Sequence, residues 1–421
     1  MRPCRFAQRA PKSSRISEPR RLRDHSVMPL LPVPEPDAAV RRNPLRLGWS
    51  AFANDTATEM AYWLLPYFLL NVLHAGPAAL GIIEGLANGA VNILRLVSGY
   101  LTDHFPRRKP FVVAGYAIAN AVKPLLALTR SWTQVLALRL ADRASAGFRR
   151  APRDVLLAES VEPSRLGAVF GLRQAMDTAG AMLGPLLAFA IMAWTHAVRL
   201  VFALAALPGL AAVLIVWLGV HETGGQAGVV RRGAVPAPAQ PSAPMPRHYL
   251  LLLGFVTLFG LGAFSDLFLI LRAHSLGMSA AAAPLLGLLF NAVFAALSWP
   301  FGRLSDRWPR RYLVASGYGA FALVQFGFAR AASIWMLWPL FAGYGLYHAL
   351  TDSVLGAWIA ELAPGGKRGR AFGWYSALSG GSALLASFWA GLLWHRVGAV
   401  APFYLSALLA ALAALGIACL A

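Results

Sequence analysis

The chain of 421 residues is 57% hydrophobic and only 13% charged, with a formal net charge of +20. Soluble domains carry about 25% charged residues, so this composition cannot cover a water-facing surface and indicates a membrane protein. The basic residues mostly lie between apolar runs, where they are typical of cytoplasmic loops, and we expect no nucleic-acid partner. The two cysteines, Cys4 and Cys419, lie at opposite ends, which excludes a disulfide framework and a multi-cysteine metal site.

Residues 1–48 are rich in Arg, Pro and Ser and contain no apolar run long enough for a secretory signal. We predict that they form a disordered cytoplasmic tail. A mitochondrial transit peptide is an alternative, because such peptides are rich in Arg and Ser and poor in acids. A translation start at Met28 is a second alternative, and it would shorten the tail.

Apolar runs follow the tail, each close to the 20 or so residues that a helix needs to cross a bilayer. The first six cover 49–72, 78–101, 110–129, 132–160, 167–193 and 198–220. The next six cover 248–272, 283–303, 311–329, 333–361, 369–394 and 399–420. Between the two sets, 221–247 is rich in Gly, Pro, Ala and Arg without periodicity, which predicts a flexible cytoplasmic linker.

The distribution of basic residues predicts the orientation. Arg and Lys cluster in the tail and in alternate loops, near residues 105, 163, 235, 307 and 366. The loops between these carry at most an isolated Arg or a His. Basic loops stay on the cytoplasmic side, so we expect both termini to be cytoplasmic.

A short charged segment recurs in the second half of the chain. Each of six residues is repeated 203 positions later: Gly99, Leu101, Asp103, Pro106, Arg107 and Arg108 match Gly302, Leu304, Asp306, Pro309, Arg310 and Arg311. Glu159 matches Glu361 at an offset of 202. Two duplicated six-helix halves are typical of secondary transporters. We therefore predict an all-α integral membrane protein of twelve transmembrane helices, with pseudo-symmetric bundles at 49–220 and 248–421.

The first copy of this segment resembles the loop signature of the major facilitator superfamily, G-x-L-x-D-x-x-G-R-R, with Pro106 in place of its usual Gly. The fifth run is similar to a motif of the family's drug/proton antiporters, although Leu187 and Ala188 stand near its closing glycines. The matching residues of that run are Gly171, Gly180, Gly184 and Pro185. The resemblance covers 49–421 and implies two bundles that rock about a central cavity lined by the first, fourth, seventh and tenth spans.

The charged residues of the repeated segment are candidates for gating contacts. An acid at the cytoplasmic end of a helix can pair with neighbouring cations or with a helix N-terminus, and such pairs can form in one state and break in another. The proposed gating set is Gly99, Asp103, Arg107, Arg108, Gly302, Asp306, Arg310, Arg311, Arg150 and Arg153. Alternatively, the loop cations only maintain topology, and the arginines of the fourth span bind an anion. The glycines of the fifth run form either a hinge or ordinary close packing.

Ionisable groups within the bilayer cost about 2.5–3.5 kcal/mol on insertion scales, so they are the best candidates for binding substrate or proton. The candidates are Asp55, Glu59, Asp142, Arg143, His348 and Asp352. Glu59 is the first choice, because at 1.5 Å per residue it lies about 15 Å from the cytoplasmic end of the first span. A buried structural ion pair is the alternative. A divalent metal held by these carboxylates and His348 is disfavoured, because no tight ligand cluster is evident.

These features predict a secondary active transporter that works by alternating access. The favoured interpretation is proton-coupled export of a drug-like or amphipathic compound, and the alternative is proton-coupled uptake of an organic anion or another small metabolite. The sequence contains none of the hydrolase, metalloprotease or phosphate-binding motifs we sought, so we expect neither an enzyme nor a cofactor. We expect a monomer in the bacterial inner membrane, whose partners are a small-molecule substrate, a coupling proton and the lipid bilayer.

Overall fold

The computed structural model of the chain is helical, and no strand occurs in the part that it describes. The described residues are 39–104, 107–161, 165–222, 246–305, 307–362 and 368–420. Most of the predicted tail and of the predicted linker lies outside these residues. Below, the first half means residues 39–222 and the second half means 246–420.

Apolar runs become helices because a helix satisfies every backbone donor and acceptor within one segment, which lipid cannot do. The helices of the first half are α1 (Asn43–Tyr62), α2 (Leu65–Tyr67), α3 (Pro77–His104), α4 (Lys109–Leu126), α5 (Trp132–Glu159), α6 (Leu166–Thr195), α7 (Val198–Leu204) and α8 (Ala206–Leu214). Single π-helical turns, Phe68–Val72 and Ile215–Gly219, follow α2 and α8.

The helices of the second half are α9 (Arg247–Gly262), α10 (Leu267–Ser275), α11 (Ala283–Leu304), α12 (Arg310–Arg330), α13 (Leu337–Leu362), α14 (Arg368–Arg396) and α15 (Ala401–Ala418). Proline lies in the first turn of α1, α4, α11 and α15, where its missing N–H has no intrahelical partner to lose. The short break between α9 and α10 contains Ser265, which contributes to the site described below.

Each predicted run overlaps one α-helix or two α-helices joined by a short break, and the runs 49–72 and 198–220 end in a π-helical turn. By length and composition, seven helical stretches of the described residues can cross a membrane, and they begin at Ala168, Val198, Arg247, Ala283, Arg310, Gly373 and Ala401. Helices α1 and α5 are not among the seven, because charged side chains such as Asp55, Glu59, Asp142 and Arg143 lower their hydropathy. The count of twelve spans therefore stays a prediction.

Most extensive helix contacts lie within one half. In the first half, α1 packs on α6 and α8, while α5 packs on α3 and α4; in the second, α12 packs on α13 and α15, α11 on α13, and α9 on α15. Two large contacts join the halves, α3 with α14 and α6 with α11. Large apolar side chains such as Trp194, Leu323 and Trp335 are exposed, as expected for a surface that faces lipid. The predicted bundle and linker boundaries stay predictions.

Candidate functional site

A polar cavity of about 420 Å³ lies between the two halves. It is on the side of the molecule where the α3–α4 and α11–α12 connections lie, which we call the loop side. Its charged lining comprises four arginines and three aspartates, Arg149, Arg150, Arg153, Arg173, Asp55, Asp154 and Asp177. The second half contributes Asn291 and Phe294 of α11. A cavity with this lining can hold a small polar solute and can pair with charge of either sign.

Two carboxylates of α1 lie one helical turn apart, as the sequence predicted. Asp55 lines the cavity and accepts a hydrogen bond of 2.8 Å from Asn54 Nδ2. Glu59 lies one turn further from the loop side, where its Oε2 accepts a hydrogen bond of 2.6 Å from Trp63 Nε1. The α1 backbone and the Glu59 Cβ face Gly184 of α6. The fold therefore holds one carboxylate in the cavity wall and the second behind it, against a tightly packed helix.

Arg143 carries a guanidinium group that forms no ion pair with a carboxylate of the described residues. Its Nε is buried and has no hydrogen-bond partner there. The group lies over the ring of Tyr62, with 5.7 Å between the guanidinium carbon and the ring centroid. Because a cation in the membrane interior is costly without a partner, Arg143 is a candidate for holding an anion.

Arg139, one turn away from Arg143, is fully paired instead. Its guanidinium donates to Glu84 Oε1 at 2.6 Å and lies 3.4 Å from Asp142 Oδ2, three residues further along the same helix. The other oxygen of Glu84 accepts a hydrogen bond of 3.0 Å from Ser265 in the second half. This network crosses between the halves on the side opposite the loops. Asp142 is therefore part of a buried ion-pair network.

Helix α13 places His348 and Asp352 together, with 3.1 Å between His348 Nδ1 and Asp352 Oδ2. Four aromatic rings surround the imidazole, those of Phe290, Phe294, Tyr344 and Tyr347. The Tyr344 hydroxyl donates to Asp266 at 2.6 Å. His348 Nε2 is buried without a hydrogen-bond partner among the described residues. This group lies beside Phe294 of the cavity wall and can serve as a second polar contact for a bound solute.

The loop arginines form ion pairs within each half. Arg108 contacts Glu159 at 2.7 Å, and Arg310 contacts Glu361 at 2.6 Å, so both pairs are 51 residues apart. The equivalent of Arg310 is thus Arg108, at an offset of 202, although the sequence match at 203 aligns Arg310 with Arg107. These pairs fasten the ends of consecutive helices.

The other predicted gating residues lie near these ends. Gly99 and Asp103 are on the last turns of α3, Gly302 is at the end of α11, and the side chain of Asp103 and all of Asp306 lie outside the described residues. Arg153 pairs with Asp154 at 3.0 Å, and Arg311 donates to the backbone oxygen of Leu420. Arg107 is exposed, and Arg150 lines the cavity. A latch between the halves stays a prediction for this set.

The glycines of the predicted antiporter-like motif have different surroundings. A Cβ at Gly180 would overlap the backbone of Phe52, and one at Gly184 would lie 2.6 Å from the oxygen of Thr56. A Cβ at Gly171 would meet no atom within 4 Å. Pro185 is buried within α6. Gly180 and Gly184 therefore let α6 approach α1 beside Glu59, whereas Gly171 has no such role in packing.

Contacts on the side opposite the loops close the path beyond Glu59. The ring of Trp63 lies against Gly287 of α11, and its centroid is 6.4 Å from that of Phe290. Tyr67 contacts His274 across the halves, with 5.6 Å between ring centroids. Gly81 of α3 packs against Ser387 and the neighbouring turn of α14. The cavity therefore lies on the loop side of a closed layer.

Sequence reasoning did not identify three buried polar residues as part of the site. Glu84 joins Arg139 of the first half to Ser265 of the second. Lys123 of α4 is 3% exposed and lies close to the site. A lone charge inside an apolar run was the available signal for Glu84 and Lys123, and Ser265 gave no signal in the sequence.

Comparison with known proteins supports these observations. The model of the Major Facilitator Superfamily matches residues 47–271 and 250–421. An uncharacterised MFS-type transporter of Methanocaldococcus jannaschii is 32% identical over 374 residues, which cover 86% of this chain and 90% of that protein. An uncharacterised protein of Mycobacterium tuberculosis is 28% identical over 340 residues, covering 75% of this chain and 79% of that protein.

Solved structures share the fold at low sequence identity. A peptide transporter POT superposes with a TM-score of 0.73 at 15% identity, covering 90% of this chain and 93% of that one. The nucleoside transporter NupG superposes with a TM-score of 0.72 at 11% identity, covering 90% of this chain and 99% of that one. The matched family model spans most of the chain, and the paired halves and central cavity agree with it. The chain belongs to the major facilitator superfamily of transporters.

Proposed function

We propose that this protein is a proton-coupled secondary transporter of a small polar solute that carries an acidic group. The observation that carries this proposal is Arg143, a guanidinium group without a carboxylate partner among the described residues, near the middle of the bundle. A carboxylate or phosphate of the solute would supply that partner. Arg suits this role because its planar fork can bind both oxygens of such a group.

The cavity supports a polar solute in preference to an amphipathic one. Seven charged side chains line it, and the aromatic residues of the described lining are Tyr116 and Phe294. Drug-like compounds generally bind in pockets that are mostly apolar and aromatic. Of the two substrate classes that the sequence left open, the cavity therefore favours the small acid.

Glu59 is the proposed site of the coupling proton. It lies between the cavity carboxylate Asp55 and the closed layer at Trp63, so its charge affects both. Protonation removes one negative charge from a site that must bind an acid, which favours the solute and permits reorientation of the halves. Uptake and export differ only in which side supplies the proton and the solute.

Export of an amphipathic compound is the second candidate, and one observation favours it. Gly180 and Gly184 bring α6 against α1 in the way the antiporter-like motif requires for a seal or hinge. Close packing of small residues also serves helix association in general. It is therefore weaker evidence for a drug/proton antiporter than the cavity lining is for a transporter of small acids.

The accompanying topology is also a proposal. Basic loops support an inner-membrane location with both termini cytoplasmic, and the repeat supports two bundles of six spans, 49–220 and 248–421, joined by a linker at 221–247. In that orientation the loop side, and the cavity with it, faces the cytoplasm. We propose that one monomer is the functional unit, since the cavity is formed within one chain.

The experiment is a transport assay with three probes in proteoliposomes under an imposed pH gradient: labelled succinate, labelled glutamate and ethidium. We expect wild-type protein to move succinate or glutamate, and we expect Arg143→Gln to reduce that flux by at least about tenfold, the equivalent of about 1.4 kcal/mol. Arg330→Gln is the matched control, because Arg330 ends α12 away from the cavity. Movement of ethidium alone would favour the second candidate and contradict the proposed substrate class.

A further inference from the structure

Lys123 is a buried amine to which neither the sequence nor the proposed mechanism assigns a function. It lies in the last turn of α4 and is 3% exposed. Its Nζ donates one hydrogen bond of 2.8 Å to Asn120 Oδ1, and the described residues offer it no other hydrogen bond. An ammonium group has three donors, so two of them lack a protein acceptor here. A buried ammonium with so few partners is costly, which suggests that another group or a water serves it.

A second, much smaller cavity adjoins Lys123. Its volume is about 20 Å³, and it is lined by residues of α1, α4 and α5, among them Thr58, Lys123, Arg139 and Asp142. A site needs roughly 10–15 Å³ and two to four polar partners to hold one water. This cavity is large enough for one water, and Lys123, Asp142 and Thr58 in its lining carry polar groups that are suitable partners.

A chain of hydrogen bonds joins Lys123 to the large cavity. Asn120 accepts from Lys123 and donates to Asn54 Oδ1 at 3.2 Å, and Asn54 donates to Asp55 Oδ1 at 2.8 Å. Gly209 of α8 presses on the other face of Asn120, because a Cβ there would lie 2.8 Å from Asn120 Oδ1. Each amide is oriented by these hydrogen bonds, and the chain connects Lys123 to the carboxylate of Asp55 that lines the large cavity.

Charged groups face this region from two of the helices that pack on α4. Helix α5 presents Arg139, Asp142, Arg143 and Arg149, and α1 presents Asp55 and Tyr62. Arg139 is neutralised by Glu84, and Arg149 lies over Tyr116 and donates to backbone and hydroxyl oxygens. Helix α8 has no ionisable side chain, and Arg199 of α7 donates to the Ala127 oxygen. Asp142 is therefore the acid that lines one small cavity with Lys123.

We propose that Lys123 is a proton-exchanging group that shares a proton with Asp142 through one water in the small cavity. The ammonium gives a proton to the water as the water gives one to the carboxylate, which leaves a neutral amine, a neutral acid and the water unchanged. Lys can take part because its amine can lose a proton, whereas a guanidinium stays protonated. The role of this exchange in coupling, through Asn120, Asn54 and Asp55, rests on the proposed function.

The direct test is NMR of the full chain labelled at the lysine side chains, titrated from about pH 6 to about pH 9, between the ordinary ranges of carboxylates and lysine. The chain has four lysines, Lys12, Lys109, Lys123 and Lys367, so few signals need assignment. We expect the Lys123 signal, identified by its loss in Lys123→Arg, to titrate in this window and to change its profile in Asp142→Asn. A Lys123 signal that stays at the position of a charged amine throughout this pH range would overturn the proposal.

Transport assays separate this proposal from the proposed function. The probes are succinate and glutamate. We expect Lys123→Arg to retain exchange of labelled for unlabelled solute, while its pH-driven accumulation of solute falls by at least about tenfold. Lys123→Met is the second variant, in case the guanidinium does not fit, and Lys109→Arg is the matched control on the same helix. Unchanged pH-driven accumulation in Lys123→Arg would remove Lys123 from coupling. If solute transport by the wild type does not depend on the pH gradient while the Lys123 signal still titrates, the proposed function is contradicted and the proton exchange at Lys123 is not.

Discussion

Glu59 and Arg143 differ in what the fold offers them, although both are ionisable residues at similar depth. Glu59 has an indole donor at 2.6 Å and faces a glycine of α6, so its position is fixed whether or not it carries a proton. Arg143 has an aromatic ring on one side and no acid partner among the described residues. The first arrangement suits a group that changes charge in place, and the second suits a group that awaits a ligand.

Replacing Glu59 with Gln tests its role with little change in shape. A Gln oxygen can still accept from Trp63, so we expect the fold to persist, while the loss of a titrating group removes the pH dependence of transport. The measurement is labelled succinate or glutamate flux with and without a pH gradient. We expect exchange to continue and gradient-driven accumulation to fall by at least about tenfold. Full accumulation in Glu59→Gln would remove Glu59 from the mechanism.

Spacing along one helix accounts for some of the residue contacts, whereas contacts between helices have no such signal in the sequence. The pairs Arg139–Asp142, Arg173–Asp177 and His348–Asp352 follow from separations of three or four residues, and all three occur. Arg139 lies closer to Glu84 than to Asp142, and Glu84 is 55 residues earlier, on α3. Periodicity gives the face of a helix but not which neighbour covers it, so this pair was found only in the fold.

At the scale of the element, α6 shows how glycines of one motif differ in function. Gly180 and Gly184 lie against the α1 backbone beside Glu59, whereas Gly171 faces open space. The sequence pattern treated them alike because spacing records only residue type. Only the packed neighbour distinguishes a glycine that permits close approach from one that does not.

We therefore expect opposite effects from two Ala substitutions on α6. In Gly184→Ala the new methyl group would lie 2.7 Å from the Glu59 Cβ and 2.6 Å from the Thr56 oxygen, so α1 and α6 must separate. Overpacking of this kind costs about 1–3 kcal/mol. Gly171→Ala should instead be neutral or stabilise the helix by up to about 1 kcal/mol. Thermal unfolding of the purified variants measures both, and equal midpoints would contradict the assigned packing.

At the scale of the whole molecule, the repeat of the sequence reappears as equivalent ion pairs at the loop side. Arg108–Glu159 and Arg310–Glu361 fasten equivalent helix ends in the two halves. The sequence predicted that these segments are related, and its match at an offset of 203 aligns Arg310 with Arg107, whereas the two ion pairs are related at an offset of 202. The two large contacts between halves, α3 with α14 and α6 with α11, had no signal in the sequence.

The closed layer opposite the loops should open and close during transport. Tyr67 and His274 lie on opposite sides of this contact, with 5.6 Å between ring centroids. The test uses a chain in which Cys4 and Cys419 are replaced by Ser and which carries Tyr67→Cys and His274→Cys. A short, reducible bifunctional thiol reagent cross-links the two new cysteines. We expect the cross-linked protein to lose solute flux and to regain it on reduction. Phe326→Cys with Tyr404→Cys is the control within one half, on an exposed surface, and should transport when cross-linked. Full flux in the first cross-linked pair would contradict a layer that opens.

The central claim is that a proton and a small acid move together through this fold. The most direct measurement uses wild-type protein and Glu59→Gln in proteoliposomes that contain a pH-sensitive dye, with labelled succinate or glutamate added outside and protein-free liposomes as the baseline. The account predicts that solute flux and a change of internal pH occur together in the wild type, and that the pH change disappears in Glu59→Gln. Movement of the labelled acid through wild-type protein with no change of internal pH would contradict it.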